Sequence, residues 1–289
     1  MNDIIRNGYS FIEKECQKGF FNCYLSSSRK LDDFNDYNKS EKEIGSSALI
    51  LMNSSGKNKK NGEIISYLAK KSKRGKFHFY EDGSLLPDDT DTSAWTLTAL
   101  FLKRKLSTNF LIKAAKNFID NVDQNGLILV YFEPCARENR LDHVAMTNVL
   151  YLLSLVGMDK QAKPSLNYVL AKLETREYLN GSRYYYSPLT FLYFFSRLFD
   201  FKDFQQFQEI IKNQLTERPS PEYPLDLSYR IMISKKLGIN CENEINLLTK
   251  FQADDGGWPF DGIYRFGKKE QYFGSRAITT SFALKALET

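Results

Sequence analysis

Cysteine and histidine are scarce, with four of the first and two of the second among 289 residues. Cys16, Cys23, Cys135 and Cys241 are scattered and fit no zinc or disulfide spacing. His78 and His143 are too few for a polyhistidine metal site, and a disulfide-free chain in a reducing cytoplasm is expected. No apolar run reaches the roughly 18 residues of a membrane-spanning helix. Residues 1–11 lack the hydrophobic centre of a secretory leader, so none is expected. Charge of one sign is also in short supply. Forty Lys and Arg face 35 Asp and Glu, a net charge of +5 spread along the chain. That leaves no electrostatic footprint for nucleic acid and only a weak pull on acidic partners.

What the chain has is aromatic and helical. Aromatic residues make up 14%, with 22 Phe and 17 Tyr. Apolar residues recur with helical period along most of the length. The pattern predicts about twelve helices near 2–17, 41–54, 61–72, 90–105, 108–122, 142–156, 160–174, 187–200, 203–216, 225–237, 241–252 and 275–288. Glycines 56, 126, 157, 181, 238 and 256 follow apolar stretches as helix stops, and Ser107-Thr108 and Asp203 are candidate helix caps. Strand signals are few. The best is 127–132, which reads equally as an extended connector. Helix 187–200 is apolar nearly all round and must be enclosed, 90–105 and 142–156 carry many apolar residues and 275–288 is small and apolar, whereas 108–122, 160–174 and 203–216 are more polar. Enclosed helices alternating with outer ones give two concentric rings. The expected fold class is therefore all-α, an (α/α)6 barrel forming a single domain over 1–289. The polar stretch 26–42 reads as a long surface loop or flap.

A degenerate repeat supports the barrel. Gln252 through Gly256 to Trp258 has the spacing Q-x-x-x-G-x-W. Lys71–Gly75–Phe77 is a worn copy, and Val122–Gly126–Ile128 is a third. The glycine ends a helix, the aromatic packs back on it, and the glutamine can bond backbone groups of an adjacent hairpin. A glycine-rich turn with an aromatic plug is the plainer reading of the same residues.

The densest acidic cluster runs from Pro87 to Asp91 and enters an apolar helix carrying Trp95. Asp88 or Asp89 suits a helix N-cap. Asp91 suits that role less well, because the helix behind it runs into the interior. A carboxyl at the mouth of an apolar cavity has its pKa raised by desolvation and can serve as a general acid.

The stretch 87–94 resembles the D-x-D-D-T-A motif of class II terpene cyclases, of the squalene–hopene cyclase and copalyl diphosphate synthase type. The gap-free match places Asp89 on the first acid and Asp91 on the middle one, with Thr92 in place of the third. That makes D-x-D-T-S, similar to the D-x-D-T-T variant of some bacterial members. The Gln–Trp repeat at 252–258 is also a feature of that family. Residues 141–150 resemble the helix that supplies a partner to the acid, a role that falls on Asn148. Residues 272–280 look like the last inner helix of the barrel.

The resemblance implies protonation of a linear isoprenoid by Asp91, supported by Asp89 and positioned by Asn148, followed by ring closure. Aromatic faces would stabilise the cation, with Trp95, Tyr184, Tyr185, Tyr186, Trp258 and Tyr272 as candidates. Arg140, Arg183 and Arg276 are candidate clamps for a diphosphate, and magnesium would enter with a substrate of that kind. His143, near a helix start, reads as structural, and Cys135 could line the mouth but has no His partner to make it a nucleophile. Most class II enzymes pair this barrel with a second one. A single barrel implies an open face covered by residues 26–42, another copy, a partner subunit or a membrane surface. The alternative reading is a non-catalytic toroid that binds a prenyl chain or a partner protein. Protein prenyltransferase β subunits and thioester domains fit poorly, lacking respectively the zinc ligands and the C-G-E-Q segment.

Overall fold

The computed structural model describes residues 1–29, 38–72, 74–132, 139–267 and 269–289. Within them run twelve α-helices: α1 (Asn2–Glu15), α2 (Gly45–Asn53), α3 (Asn61–Lys71), α4 (Thr90–Leu102), α5 (Thr108–Ile119), α6 (His143–Ser154), α7 (Lys163–Glu174), α8 (Pro188–Ser196), α9 (Gln208–Thr216), α10 (Pro224–Leu237), α11 (Glu242–Lys250) and α12 (Arg276–Glu288). Eleven fall within the expected segments, and α10 starts one residue before its segment, at Pro224. Side-chain oxygens of Asp89, Ser107, Asp142, Ser187 and Ser275 accept from first-turn N–H groups of α4, α5, α6, α8 and α12, satisfying donors that helix geometry leaves open. Asp203 caps nothing. It lies in a 3₁₀ stretch, Lys202–Phe207, and α9 starts after it.

The even-numbered helices form a closed inner ring. α2 packs on α4, α4 on α6, α6 on α8, α8 on α10, α10 on α12, and α12 returns to α2. The odd-numbered helices lie outside: α1 on α12, α3 on α2, α5 on α4, α7 on α6, α9 on α10, and α11 on α10. Every residue of α6 is buried, and so is every residue of α8 after Pro188. An inner helix has neighbours on all sides, and each buried Leu or Phe there contributes roughly 1.5–3 kcal/mol. This is the expected (α/α)6 toroid.

The Gln252–Trp258 turn joins the last outer helix to the first. Gln252 Nε2 donates to Ile4 O of α1 at 2.8 Å and to Gly256 O at 2.9 Å. Trp258 is fully buried, and its indole N–H donates to Leu248 O at 2.8 Å. Gly256 has φ +90° and lies so close to Asn7 O that a Cβ would sit 2.4 Å away, so only glycine fits.

Strands β1 (Tyr24–Ser26), β2 (Asn38–Lys39), β3 (Phe77–His78), β4 (Asp88–Asp89), β5 (Gly262–Arg265) and β6 (Tyr272–Gly274) are short. One antiparallel sheet has the order β2-β1-β6-β5, with Leu25 opposite Phe273 and Tyr264 opposite Phe273 on the other side. The sequence pattern gave no warning of this sheet, because its strands are brief and its central pair joins the two ends of the chain. The second sheet pairs β3 with β4, Phe77 opposite Asp89, and so delivers Asp89 to the start of α4. Segment 127–132 forms no named strand; it is a connector with isolated bridges at Val122–Ile128 and Asp89–Tyr131 and further backbone bonds to Asp88, Thr90, Asn121 and Arg140. Of the expected loop 26–42, residues 30–37 lie outside the described residues. Before them, Arg29 bonds Asp226 at 2.5 Å and Asp261 at 3.0 Å and stacks 3.8 Å from the Tyr223 ring centroid.

Candidate active site

The N-terminal ends of inner helices α4 and α6 and the segments leading into α8 and α12 meet at a cavity of about 550 Å3. The start of α4 supplies Asp89, Asp91, Thr92 and Trp95. Ala145 comes from α6, and Tyr184 and Tyr185 from the approach to α8. The connector adds Val130 and Tyr131, residues 79–86 add Phe79, Tyr80 and Leu86, and the β5–β6 hairpin adds Tyr264 and Phe273. Four cations, Arg140, Arg183, Arg265 and Lys269, gather at the rim with half-exposed Phe266.

Asp91 lies at the wall of this cavity, partly exposed to it and otherwise covered. Asn148 Nδ2 donates to its Oδ1 at 2.8 Å, and the Tyr185 hydroxyl donates to its Oδ2 at 2.5 Å. The expected pairing of Asp91 with Asn148 is therefore present, and Tyr185 is a second donor. Burial pushes the Asp91 carboxyl up to about 8. The two hydrogen bonds pull it down, while the charges of Asp89 and Asp142 add to the rise. Desolvation wins, so the neutral acid is the resting form at pH 7. A carboxyl oxygen has two acceptor positions. The two donors take one on each oxygen and leave another on each for the proton.

Asp89 is buried, caps α4 through Thr92 N at 2.7 Å, and is pushed up to about 7 by burial, with the Asp88 charge adding to the rise. Its second oxygen has no hydrogen-bond partner among the described residues. Asp142 caps α6 and accepts from Tyr184 N at 3.3 Å, tying the aromatic segment to the helix that carries Asn148. Glu43 is fully buried at the start of α2, where both carboxylate oxygens accept from Ser46 N, at 3.1 and 2.9 Å. Burial pushes it up to about 7.

Of the expected substrate contacts, Trp95, Tyr184, Tyr185, Arg140 and Arg183 line the cavity. Four others do not. Trp258 is locked in its turn, away from the cavity. Tyr272 points to the opposite face of β6 from Phe273, because strand side chains alternate, and it meets Tyr186 edge-on at 4.9 Å. The Tyr186 hydroxyl donates to Gly262 O and also approaches Asp261. Arg276 forms a bidentate pair with Asp255, both bonds 2.7 Å, and donates to Trp258 O, so its charge braces the Gln–Trp turn. His143 is buried edge-on against Phe191, and Cys135 lies outside the described residues.

The sequence reading did not name Phe79, Tyr131, Tyr264, Arg265 or Lys269 for the site. Their signal is in the hairpin: aromatic and basic residues at 264–266 and 269–273 flank Gly267, a turn pattern carrying both cavity wall and rim charge. Among the described residues no group of three or more His, Cys, Asp or Glu gathers as a metal site. The rim is cationic and suits an anion directly. It does not suit a magnesium ion.

No family model matches the sequence. Drimenol cyclase drtB of Aspergillus calidoustus is 30% identical over 208 residues, covering 70% of this chain and 38% of that protein. The chain thus spans well under half the length of that curated relative. A protein from Actinoplanes superposes with a TM-score of 0.73 at 12% identity, covering 99% of this chain and 98% of that one. The type II terpene cyclase MstE from Scytonema superposes with a TM-score of 0.70 at 10% identity, covering 99% and 97%. MstE variants have also been captured with geranylgeranyl dihydroxybenzoate as substrate and merosterolic acid A as product. At these identities the structural matches establish the fold. The sequence match makes the chain similar to that drimenol cyclase over 208 residues.

Proposed function

We propose that this class II terpene cyclase-like chain cyclises a linear isoprenoid by protonating one of its double bonds, with Asp91 as the acid. One observation carries the reading: a carboxyl raised to about 8 and held by Asn148 and Tyr185 at the wall of an aromatic cavity. The binding-module alternative calls for a filled barrel or an acid in bulk water, and the Asp91 cavity is neither. Asp89 is the supporting acid, and residues 1–289 are taken as one cyclase-like unit.

In the proposed reaction the Asp91 O–H bond breaks as a C–H bond forms at the distal alkene. The resulting tertiary cation is attacked by the next double bond, each attack closing a ring. Loss of a proton from the last cation restores the charge balance. An acid near pKa 8 is thermodynamically weak, so the cation must be stabilised where it forms. Trp95, Tyr185, Tyr264, Phe79 and Phe273 offer π faces, each contributing on the order of 0.5–2 kcal/mol in a dry site. Arg140, Arg183, Arg265 and Lys269 suit an anionic headgroup such as a diphosphate.

Other parts of the reading are coarser. Among the described residues no helix is long and apolar enough to cross a membrane. A cytoplasmic setting is supported by three cysteines free of disulfides, Cys16, Cys23 and Cys241. A second copy, a partner subunit or a membrane surface over the rim is supported by half-exposed Phe266.

The deciding experiment is incubation with farnesyl and geranylgeranyl diphosphates, with products read by mass spectrometry and Asp91→Asn as control. A cyclic product lost in the folded variant supports the proposal. No cyclic product from either chain, or from a neutral polyprene, refutes it in favour of a binding module.

A further inference from the structure

The ring has a second cavity, at the end opposite Asp91. It has a volume of about 380 Å3 and receives Met52, Leu102 and Tyr151 from the C-terminal ends of inner helices. Helix dipoles present partial negative charge there, and Arg197, Lys235, Lys236 and Lys285 line the same space. Lys235 is committed locally, its Nζ donating to Ala286 O at 2.9 Å, whereas Lys236 pairs with half-exposed Asp200 at 2.7 Å, a solvent-accessible pair that can yield to a bound anion.

Arg197 is different. It is 9% exposed, yet forms no ion pair among the described residues. Its guanidinium lies 4.0 Å from the Tyr151 ring centroid and 5.4 Å from that of Phe194, and one N–H group meets the Met52 sulfur at 3.4 Å. A thioether is a weak acceptor, and guanidinium has five N–H donors. A buried cation without an anion is costly, and the aromatic faces offset only part of that cost. Of the four lining cations, Arg197 and Lys285 pair with no carboxylate among the described residues, and the helix ends take up part of their charge, which leaves room for one phosphoryl anion. A forked donor beside flexible ammonium groups matches phosphoryl oxygens better than a lone carboxylate.

We propose that this second cavity is a ligand site, separate from the Asp91 cavity, that takes a phosphoryl anion on Arg197 with Lys236 and Lys285 at its edge. The apolar walls, Met52, Tyr193 and Met232, leave space for a compact hydrocarbon body on the same ligand.

The test is a titration with inorganic pyrophosphate, followed by calorimetry and 31P NMR, on the full chain and three variants. Arg140→Gln/Arg183→Gln removes cations at the other cavity. Lys236→Gln/Lys285→Gln removes them here, and Arg197→Met replaces the guanidinium while keeping an apolar stem. The expected result is a saturable site that survives the first variant and weakens roughly tenfold or more in the other two. If Arg197→Met fails to fold by circular dichroism, the lysine pair decides alone. Sedimentation with phosphatidate vesicles runs in parallel. Vesicle binding lost in the lysine pair, with no pyrophosphate binding, assigns the phosphoryl group to a lipid headgroup instead of a soluble anion. The proposal is overturned if neither probe binds saturably, if both lower-site variants bind unchanged, or if Arg140→Gln/Arg183→Gln abolishes all binding.

Discussion

A proton donor at position 91 makes a quantitative demand on pH. With an ordinary aspartate pKa, fewer than about one carboxyl in a thousand is protonated at pH 7; raised to about 8, roughly nine in ten are. Burial therefore enlarges the acid form about a thousandfold, and kcat should hold a plateau through neutrality and fall as pH rises past about 8. Tyr185 and Asn148 oppose the shift by donating to the carboxylate. A hydrogen bond to a charged group contributes roughly 1.5–3 kcal/mol, so removing one raises the pKa by about 1–2 units. Tyr185→Phe should move the falling limb towards about pH 9–10, even if it lowers the plateau by disturbing the acid's position. The measurement is kcat at saturating substrate from pH 6 to 10.5 at constant ionic strength, for wild type and Tyr185→Phe. Saturation matters because a diphosphate titrates too. Asp89 and Asp142 face the same carboxyl and titrate with it, so the limb belongs to the cluster. A wild-type limb near pH 4–5, or one that moves downward in Tyr185→Phe, would show that position 91 does not work as a buried neutral acid.

Stability gives an independent reading of the same group. Asp91 holds its proton more tightly when folded than when unfolded, so it costs stability as pH climbs from about 4 to 8, at about 1.4 kcal/mol per unit across that window. Asp91→Asn should raise Tm more at pH 8 than at pH 4, and equal shifts at both would contradict the assignment. At the rim, Arg183→Gln should raise KM for a diphosphate substrate roughly tenfold or more with a smaller change in kcat, and added salt should weaken wild-type binding. Measuring KM and kcat at two ionic strengths checks both. Trp258→Ala should cost about 3–5 kcal/mol in urea unfolding, because a fully buried indole and its bond to Leu248 O are lost. Gln252→Ala should cost about 1–2 kcal/mol by the same assay, through two bonds to backbone. A Trp258→Ala protein of unchanged stability would refute the bracing role given to the turn.

The helical ring was legible because its signal is local. Enclosed helices such as Pro188–Ser196 are apolar on every side, and outer helices such as Thr108–Ile119 are not, which is visible within one helix length. The Asp91–Asn148 contact was legible through the family resemblance, since nothing local links residues 57 positions apart. The sheet was not legible. Leu25 meets Phe273 across nearly the whole chain, and strands of two to four residues carry too little alternation to register. Missing the sheet also misplaced the aromatics. Without its register, Tyr272 and Phe273 look equivalent, whereas the pleat sends only Phe273 to the cavity. Trp258 and Arg276 were drawn to the site by their chemical type. Their partners, Leu248 O and Asp255, commit them to holding hairpins together.

The cavity owes its two halves to different architecture. Its acid end is set into a ring of helices that brace one another, where any displacement must be shared around the circle. Part of its charged lip, Arg265 and Lys269, belongs to the narrow β5–β6 ribbon, pinned on one side by a three-residue strand. That part of the lip can therefore be exchanged for another of different length or charge while the proton-delivering apparatus keeps its position. In the proposed reaction, such grafts would retune headgroup preference and leave the chemistry of ring closure intact.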